Sequence, residues 1–263
     1  MRKRTVFRSK QGEHCLSDVL KEFTRRVMVG WLPAYQRERE HQPGEFEFQA
    51  KSIKVSERDA SDMMRLIDAG CLIQTGRGNF TFARSSAKEA LFWEGAKSRT
   101  PRCVTLWIEP VITLAALARL HFDYGWPIES LGSQSKKWEF DVVAFETAAS
   151  EAEAIAGEVK KSTKELDVLI GHLQNFAASG CTEEPSDGGA KNAFRKWIGL
   201  RDRKIPLFWA VGPDRHEFAF AMQYLDDGCA KMVNIPLHRL RHRKVSEIGS
   251  VHEALASVTS CRV

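Results

Sequence analysis

The sequence lacks the motifs that mark several common kinds of site. It contains no G-x-x-x-x-G-K-[ST] and no G-x-G-x-x-G, so no nucleotide-binding loop is indicated, and it contains no H-E-x-x-H zinc signature. No apolar run approaches the roughly 20 residues that a membrane-spanning helix needs, so we expect no membrane partner. The basic N-terminus, MRKRTVFRSK, has no apolar segment after it, so we expect no secretory signal.

Cysteine is sparse and scattered along the chain. The six residues form no C-x-x-C pair: Cys15, Cys71, Cys103, Cys181, Cys229 and Cys261. This spacing argues against a zinc ribbon and against a disulfide framework. A reducing, cytoplasmic setting is therefore expected.

Neither positive nor negative charge is in large excess. The net charge is +5 over 263 residues, which permits a nucleic-acid partner without requiring one. With 43% apolar and 28% charged residues, the composition is that of an ordinary globular protein. The length allows one large domain or two small ones.

The stretch from Trp138 to Ser162 carries the most chemical information. Its first part, Trp138–Glu146, is rich in β-branched and aromatic residues, and its second part, Ala154–Lys160, is small and apolar until its end. The short polar segment between them is typical of a turn, so the pattern predicts a β-hairpin. An acid, Asp141, interrupts the first strand, and a Glu-Val-Lys sequence closes the second.

Alternation along the second strand places Glu158 and Lys160 on one face of the sheet. Asp141, in the neighbouring strand, can reach the same face if the register allows. Because burying carboxylates without partners is costly, such a cluster indicates a metal ion or an ion-pair network. Mg²⁺ binds a few carboxylate oxygens and keeps several waters, which leaves room for a phosphate oxygen and a nucleophilic water.

Asp141, followed seventeen residues later by Glu158-Val159-Lys160, resembles the core of the PD-(D/E)XK, or restriction-endonuclease-like, nucleases. The resemblance implies that Asp141 and Glu158 bind Mg²⁺ or Mn²⁺ together with the Val159 carbonyl. It also implies that Lys160 orients the attacking water or stabilises charge on the phosphate. The sequence departs from the family name because Phe140, and not proline, precedes the aspartate. The alternative is a surface hairpin in which Glu158 and Lys160 form an ion pair.

Further residues are candidates for the same site. Glu109 opens an apolar helix ahead of the hairpin and could be another metal ligand, although an acid is also favourable at a helix N-terminus in itself. Glu129 is a second candidate acid, and Gln174 is either an accessory residue or an ordinary surface glutamine. The candidates for contact with a nucleic-acid backbone are basic: Arg77, Lys136, Lys137, Arg201 and Arg203.

The chain is predicted to divide into an N-terminal domain over residues 1–100, a nuclease-like domain over 101–240 and a basic tail over 241–263. The fold class is α/β or mixed α+β: a restriction-endonuclease-like mixed sheet flanked by helices, with a smaller N-terminal α+β domain. The periodicities predict helices over Leu16–Trp31 (ended by Pro33), Ser56–Gly70, part of Ser85–Arg102, Glu109 to about Tyr124, Lys164–Ala178, Asn192–Leu200 and Glu217–Leu225. Outside the hairpin, strands are predicted at Phe46–Val55, Cys103–Ile108, Pro206–Val211 and Lys231–Ile235.

Part of the N-terminal domain resembles the back half of a winged helix. Ser56 caps a helix, with Asp59 three residues later, and a strand, a Gly-rich turn and another strand follow over residues 71–82. The resemblance implies that Arg77, at the tip of the wing, faces a backbone phosphate. The alternative is a helix and hairpin that only pack against the second domain.

These observations predict a Mg²⁺-dependent nuclease that acts on nucleic acid, with a DNA endonuclease of a restriction, transposition or phage-defence system as the leading expectation. The alternative is a catalytically silent nucleic-acid-binding or assembly protein with a nuclease-like fold. A third hypothesis is a nuclease subunit that works only with a protein partner or activator. A double-strand cut would indicate a homodimer, since one site cuts one strand at a time.

Overall fold

A computed structural model describes residues 17–136 and 139–242. The basic N-terminus, Lys137 and all but the first two residues of the predicted tail lie outside the described residues. The described part is mixed α+β, as predicted, with three sheets. None of its helices combines the length and the apolar character that crossing a bilayer requires.

The helices and strands are as follows. The α-helices are α1 (Asp18–Arg25), α2 (Leu32–Glu38), α3 (Glu57–Asp68), α4 (Ile108–Ala118), α5 (Thr163–Ser179) and α6 (Gly188–Arg203). The strands are β1 (Phe46–Phe48), β2 (Ile73–Gly76), β3 (Asn79–Thr81), β4 (Glu89–Ala90), β5 (Phe92–Glu94), β6 (Arg102–Leu106), β7 (Leu131–Ser133), β8 (Val142–Phe145), β9 (Glu153–Val159), β10 (Leu207–Val211), β11 (Glu217–Tyr224) and β12 (Ala230–Ile235).

The largest sheet has six strands in the order β12-β11-β10-β9-β8-β7. β9 and β10 are parallel, and the other neighbouring strands are antiparallel. A parallel pair needs a long crossover connection, which α5 and α6 supply. These two helices cover one face of the sheet, and α4 covers the other, so the sheet is buried on both faces at its centre.

The prediction of a helix over Glu217–Leu225 is wrong, because this segment forms β11. The strand pairs with β10 on one side and β12 on the other, and Ala219 and Phe220 on opposite faces are both buried. A strand buried on both faces is apolar at successive positions, and periodicity alone does not separate it from a buried helix.

Three predictions in the first part of the chain need smaller corrections. Pro33 does not end the first helix: the chain passes through a π-helical segment, Arg26–Trp31, and Pro33 lies at the start of α2, where no amide donor is needed. Residues 85–102 form β4 and β5, and no helix. After β1, a 3₁₀ turn at Ala50–Ser52 replaces the second half of the predicted strand.

The N-terminal third packs directly on the remainder of the chain. β1 pairs with β6, α3 packs against α4, and apolar side chains from both parts share one core. The Ser56 cap of α3 and the β2–β3 hairpin after it are present as predicted. Whether residues 1–100 form a separate domain, and whether they act as a winged helix, stay predictions.

Ion pairs and hydrogen bonds join α3 to the segment directly after α4 and to the loop that follows β10. The Arg119 guanidinium, which is buried, lies 3.2 Å from the Asp62 carboxylate. Asp62 also accepts two hydrogen bonds from Arg215, at 2.7 and 3.1 Å, and Asp59 accepts one from the Asp214 amide at 2.7 Å. Asp214 and Arg215 both have φ near +60°, a conformation that is uncommon for residues other than glycine and is held here by these contacts.

Gly132 in β7 provides a test of the sheet edge. A Cβ at this position would lie 2.5 Å from the carbonyl carbon and oxygen of Arg84, so Gly132→Ala should lower the free energy of unfolding by about 1–3 kcal/mol. In contrast, an added Cβ at Gly171 in α5 meets nothing within 4 Å. Gly171→Ala should therefore raise the free energy of unfolding by about 0.5–1 kcal/mol. Urea denaturation of the two variants measures both effects, and a Gly132→Ala protein as stable as the wild type would contradict this packing.

Candidate active site

The predicted hairpin is present, and its register determines which side chains of the two strands lie next to each other at the site. β8 and β9 pair antiparallel, with Val142 opposite Gly157. One residue further along this register, Asp141 lies beside Glu158. β8 is shorter than the predicted strand Trp138–Glu146, whereas β9 has the predicted length and begins one residue earlier than Ala154. Residues 146–152 connect the two strands. The expectation that Asp141 reaches the face of Glu158 is therefore confirmed by the geometry.

Asp141 is held by the backbone of the neighbouring strand. Its Oδ2 accepts a hydrogen bond from the Val159 amide at 2.9 Å. Its Oδ1 lies 3.4 Å from the Gln134 side-chain amide, which also donates to Glu89 at 2.8 Å. The Asp141 carboxylate is therefore fixed relative to β9, which carries Glu158.

Glu158 is 1% exposed and lies between two ammonium groups. Lys160 donates a hydrogen bond to Oε1, and Lys196 Nζ lies 2.7 Å from Oε2. Lys196, on α6, is 6% exposed and donates its own well-oriented hydrogen bond to the Glu139 carbonyl at 2.7 Å. Among the described residues, Oε2 of Glu158 accepts no hydrogen bond of good geometry in spite of the nearby lysine. We refer to Asp141, Glu158, Lys160 and Lys196 as the charge quartet.

The protein environment changes the proton affinity of two members of the quartet. Asp141 keeps some surface access as a residue, but its carboxyl group is surrounded by protein. Burial, and then repulsion from Glu158, raise the pKa of Asp141 to about 8. Burial alone would lower the pKa of Lys160, but the charges of Glu158 and Asp141 outweigh this effect and raise it. Lys160 is therefore an ammonium ion at neutral pH.

The quartet offers suitable ligands for a hard divalent cation. Asp141 and Glu158 present adjacent carboxylates, and their mutual repulsion favours added positive charge. Oε2 of Glu158 accepts no well-oriented hydrogen bond among the described residues, although Lys196 lies beside it. Across residues 17–136 and 139–242, no group of three His, Cys, Asp or Glu side chains forms a ready-made cage. Two carboxylates are sufficient for Mg²⁺, which keeps part of its water shell. The role of the Val159 carbonyl as a third ligand stays a prediction.

The other candidate acids and Gln174 differ in their distance from the quartet. Glu109, in the first turn of α4, is half-buried, and its charge contributes to the raised pKa of Lys160, so it lies within electrostatic reach. Glu129 and Gln174 are exposed, and within the described part of the chain neither makes a hydrogen bond or an ion pair with the quartet. Glu109 therefore fits a place near the quartet best, and the roles of all three residues stay predictions.

The basic candidates fall into two groups. Arg203 lies 2.8 Å from Glu139 and 2.7 Å from Glu153, and Arg201 lies 2.9 Å from Asp202, so both already pair with acids of this chain. Arg77, at the tip of the β2–β3 turn, and Lys136, after β7, are exposed. A role in nucleic-acid binding stays a prediction for all four residues. Arg77 and Lys136 fit this role better, because they are exposed.

Lys196 is the residue that the sequence interpretation missed. It lies on the apolar stripe of α6, three residues after Ala193 and next to Trp197, so its position alone predicts burial. A lysine at a buried position needs an anionic partner. A search for acids without partners in the neighbouring strands would have pointed to Glu158.

Comparison with family models, with curated proteins and with solved structures found no match for this chain. The site is therefore interpreted from its own geometry and chemistry.

The raised pKa of Asp141 gives the metal-free protein a specific pH dependence. The folded state retains a proton on Asp141 that the unfolded chain has released, so stability should fall as pH rises from about 4 to about 8. Asp141→Asn removes this titration while keeping an oxygen for the Val159 amide. With EDTA present, the stability of the wild type relative to Asp141→Asn should decline across this window by at most about 1.4 kcal/mol per pH unit. Parallel stability curves would show that the Asp141 carboxyl is not perturbed.

Proposed function

We propose that this protein is a divalent-metal-dependent nuclease that hydrolyses phosphodiester bonds in nucleic acid, with DNA as the expected substrate. The observation that carries the proposal is the convergence of Asp141, Glu158 and Lys160 at one end of the central sheet. These are the residues that the resemblance to the PD-(D/E)XK nucleases singles out, and the register of β8 and β9 brings the two acids together.

The order of elements around the quartet supports a nuclease-like core. A buried helix, α4, precedes the hairpin, two helices, α5 and α6, follow it, and β10 then pairs parallel to β9. This order agrees with the one that the resemblance implies over about residues 108–211. The agreement ends there, because Glu217–Leu225, expected as a helix, forms a strand.

The residues of the chain have distinct parts in the proposed reaction. Asp141 and Glu158 would hold Mg²⁺ or Mn²⁺, which when bound polarises a phosphate oxygen and makes a coordinated water more acidic. Lys160 is protonated and hydrogen-bonded to Glu158, so it acts as a fixed positive charge toward the phosphate and not as a base. Glu109 is a further acid near this lysine.

A cavity of about 220 Å³ lies along β8, where Val143 and Phe145 follow Asp141 on the same face. Arg84 and Lys136 line it, together with Glu153. Arg84 already donates to two backbone carbonyls, so the exposed Lys136 is the basic group that fits contact with a phosphodiester backbone. Cleavage of both strands of a duplex would require a second copy of the chain or another partner.

A second candidate function is a nucleic-acid-binding or assembly protein that keeps this fold without cleavage. The observation that favours it is the pairing of each Glu158 oxygen with an ammonium group, which neutralises this carboxylate without a metal. Nucleic-acid binding that does not depend on a divalent cation, with no cleavage of any substrate, would favour this function.

Three single substitutions test the proposed nuclease. Asp141→Ala, Glu158→Ala and Lys160→Ala should each reduce cleavage by about 100-fold or more, because each removes charge stabilisation at the reacting phosphate. Nucleic-acid binding should change little. The measurement is cleavage of linear, supercoiled, branched and single-stranded DNA and of RNA in Mg²⁺ and in Mn²⁺.

Lys161→Ala is the matched control, because Lys161 is the next residue but is exposed and, within residues 17–136 and 139–242, pairs with Glu165 at the surface. It should cleave as the wild type does. Undiminished cleavage by the three quartet variants would remove the basis of the assignment.

A further inference from the structure

Lys196 has no part in the proposed reaction, yet it is among the most deeply buried charged groups of the chain. Its Nζ lies 2.7 Å from Oε2 of Glu158 and 2.7 Å from the Glu139 carbonyl oxygen. The lysine comes from α6, which belongs to the crossover between β9 and β10 and not to the hairpin. An isolated buried ammonium group is costly, so its position depends on Glu158.

The quartet carries no excess negative charge without a metal. Glu158 lies between two ammonium groups, Lys160 and Lys196, so even with Asp141 ionised the positive charges equal the negative ones. Glu109 also acts on Lys160, but it is the weakest of the three acids that do so. A divalent cation added to this arrangement would bring two positive charges to a site with no excess negative charge to offset them.

From this charge count we propose that Lys196 is an internal counter-ion that occupies the metal-facing oxygen of Glu158 and keeps metal affinity low until a phosphate group arrives. The inference rests on the proposed function and concerns its regulation. The negative charge of a substrate phosphate offsets part of the positive charge that the cation adds. Cation and nucleic acid should therefore each strengthen the binding of the other by the same factor.

The arrangement has a functional consequence for an enzyme that cuts nucleic acid. A site that gains its cation mainly with substrate present spends little time in a metal-loaded state without substrate. Lys196 is in this sense a positioning residue, because it acts on Glu158 and not on the substrate.

The test is Mn²⁺ binding to the full chain, measured by electron paramagnetic resonance of the free ion. It is done with and without a DNA oligonucleotide that carries hydrolysis-resistant phosphorothioate linkages. Lys196→Met removes the charge at nearly constant volume, and Lys196→Gln removes it while keeping a donor for the Glu139 carbonyl. Both variants should bind Mn²⁺ alone about ten-fold more tightly than the wild type. The strengthening of Mn²⁺ binding by DNA should be correspondingly smaller.

Lys191→Met is the matched control, since Lys191 lies on the same helix but pairs with Glu184 at the surface. It should bind Mn²⁺ as the wild type does. A merely structural role for Lys196 would lower stability without raising metal affinity, so a gain in affinity by a folded variant is diagnostic. Circular dichroism identifies which of the two Lys196 variants is folded.

The results separate the inference from the proposed function. Mn²⁺ affinity that is lost in Glu158→Gln but unchanged in both Lys196 variants would overturn the counter-ion role and leave the metal site standing. No Mn²⁺ binding by any protein, with or without DNA, would overturn both. Tighter Mn²⁺ binding by the two Lys196 variants, with no change in Lys191→Met, supports both the metal site and the counter-ion role.

Discussion

The juxtaposition of two carboxylates at the end of the central sheet is the constraint that the candidate site depends on. The register of β8 against β9 places Asp141 beside Glu158, and the Val159 amide fixes the pair. Both groups lie in an environment that disfavours charge, and each raises the energy of the other. Positive charge must therefore be supplied nearby, and Lys160 and Lys196 supply it from two different elements.

The crossover between the parallel strands explains how the second lysine reaches the site. Joining β9 to β10 in parallel requires the chain to return across one face of the sheet, and α6 is part of that return. The helix carries Lys196 to Glu158. Near its C-terminus, Arg203 pairs with Glu139 and Glu153, which anchors the helix to both ends of the hairpin region. The connection that the topology requires thus also completes the charge balance.

Local patterns in the sequence were sufficient for the hairpin but not for the long-range contacts. Alternation predicted the shared face of Glu158 and Lys160, because a strand reverses its side chains at each residue. Lys196 was missed because it lies 38 residues beyond Glu158 and only the packing of α6 joins them. β11 was mistaken for a helix because it is covered on both faces, which removes the alternation that identifies a half-exposed strand.

The central claim is that Asp141 and Glu158 together hold a divalent cation. Diffraction from crystals grown with Mn²⁺ and a hydrolysis-resistant oligonucleotide, recorded where Mn²⁺ scatters anomalously, tests it most directly. We predict an anomalous peak within coordination distance of both carboxylates, about 2.0–2.3 Å from an oxygen of each, with Lys196 withdrawn from Glu158. A well-ordered complex with no peak there, and with Lys196 still on Glu158, would contradict the account.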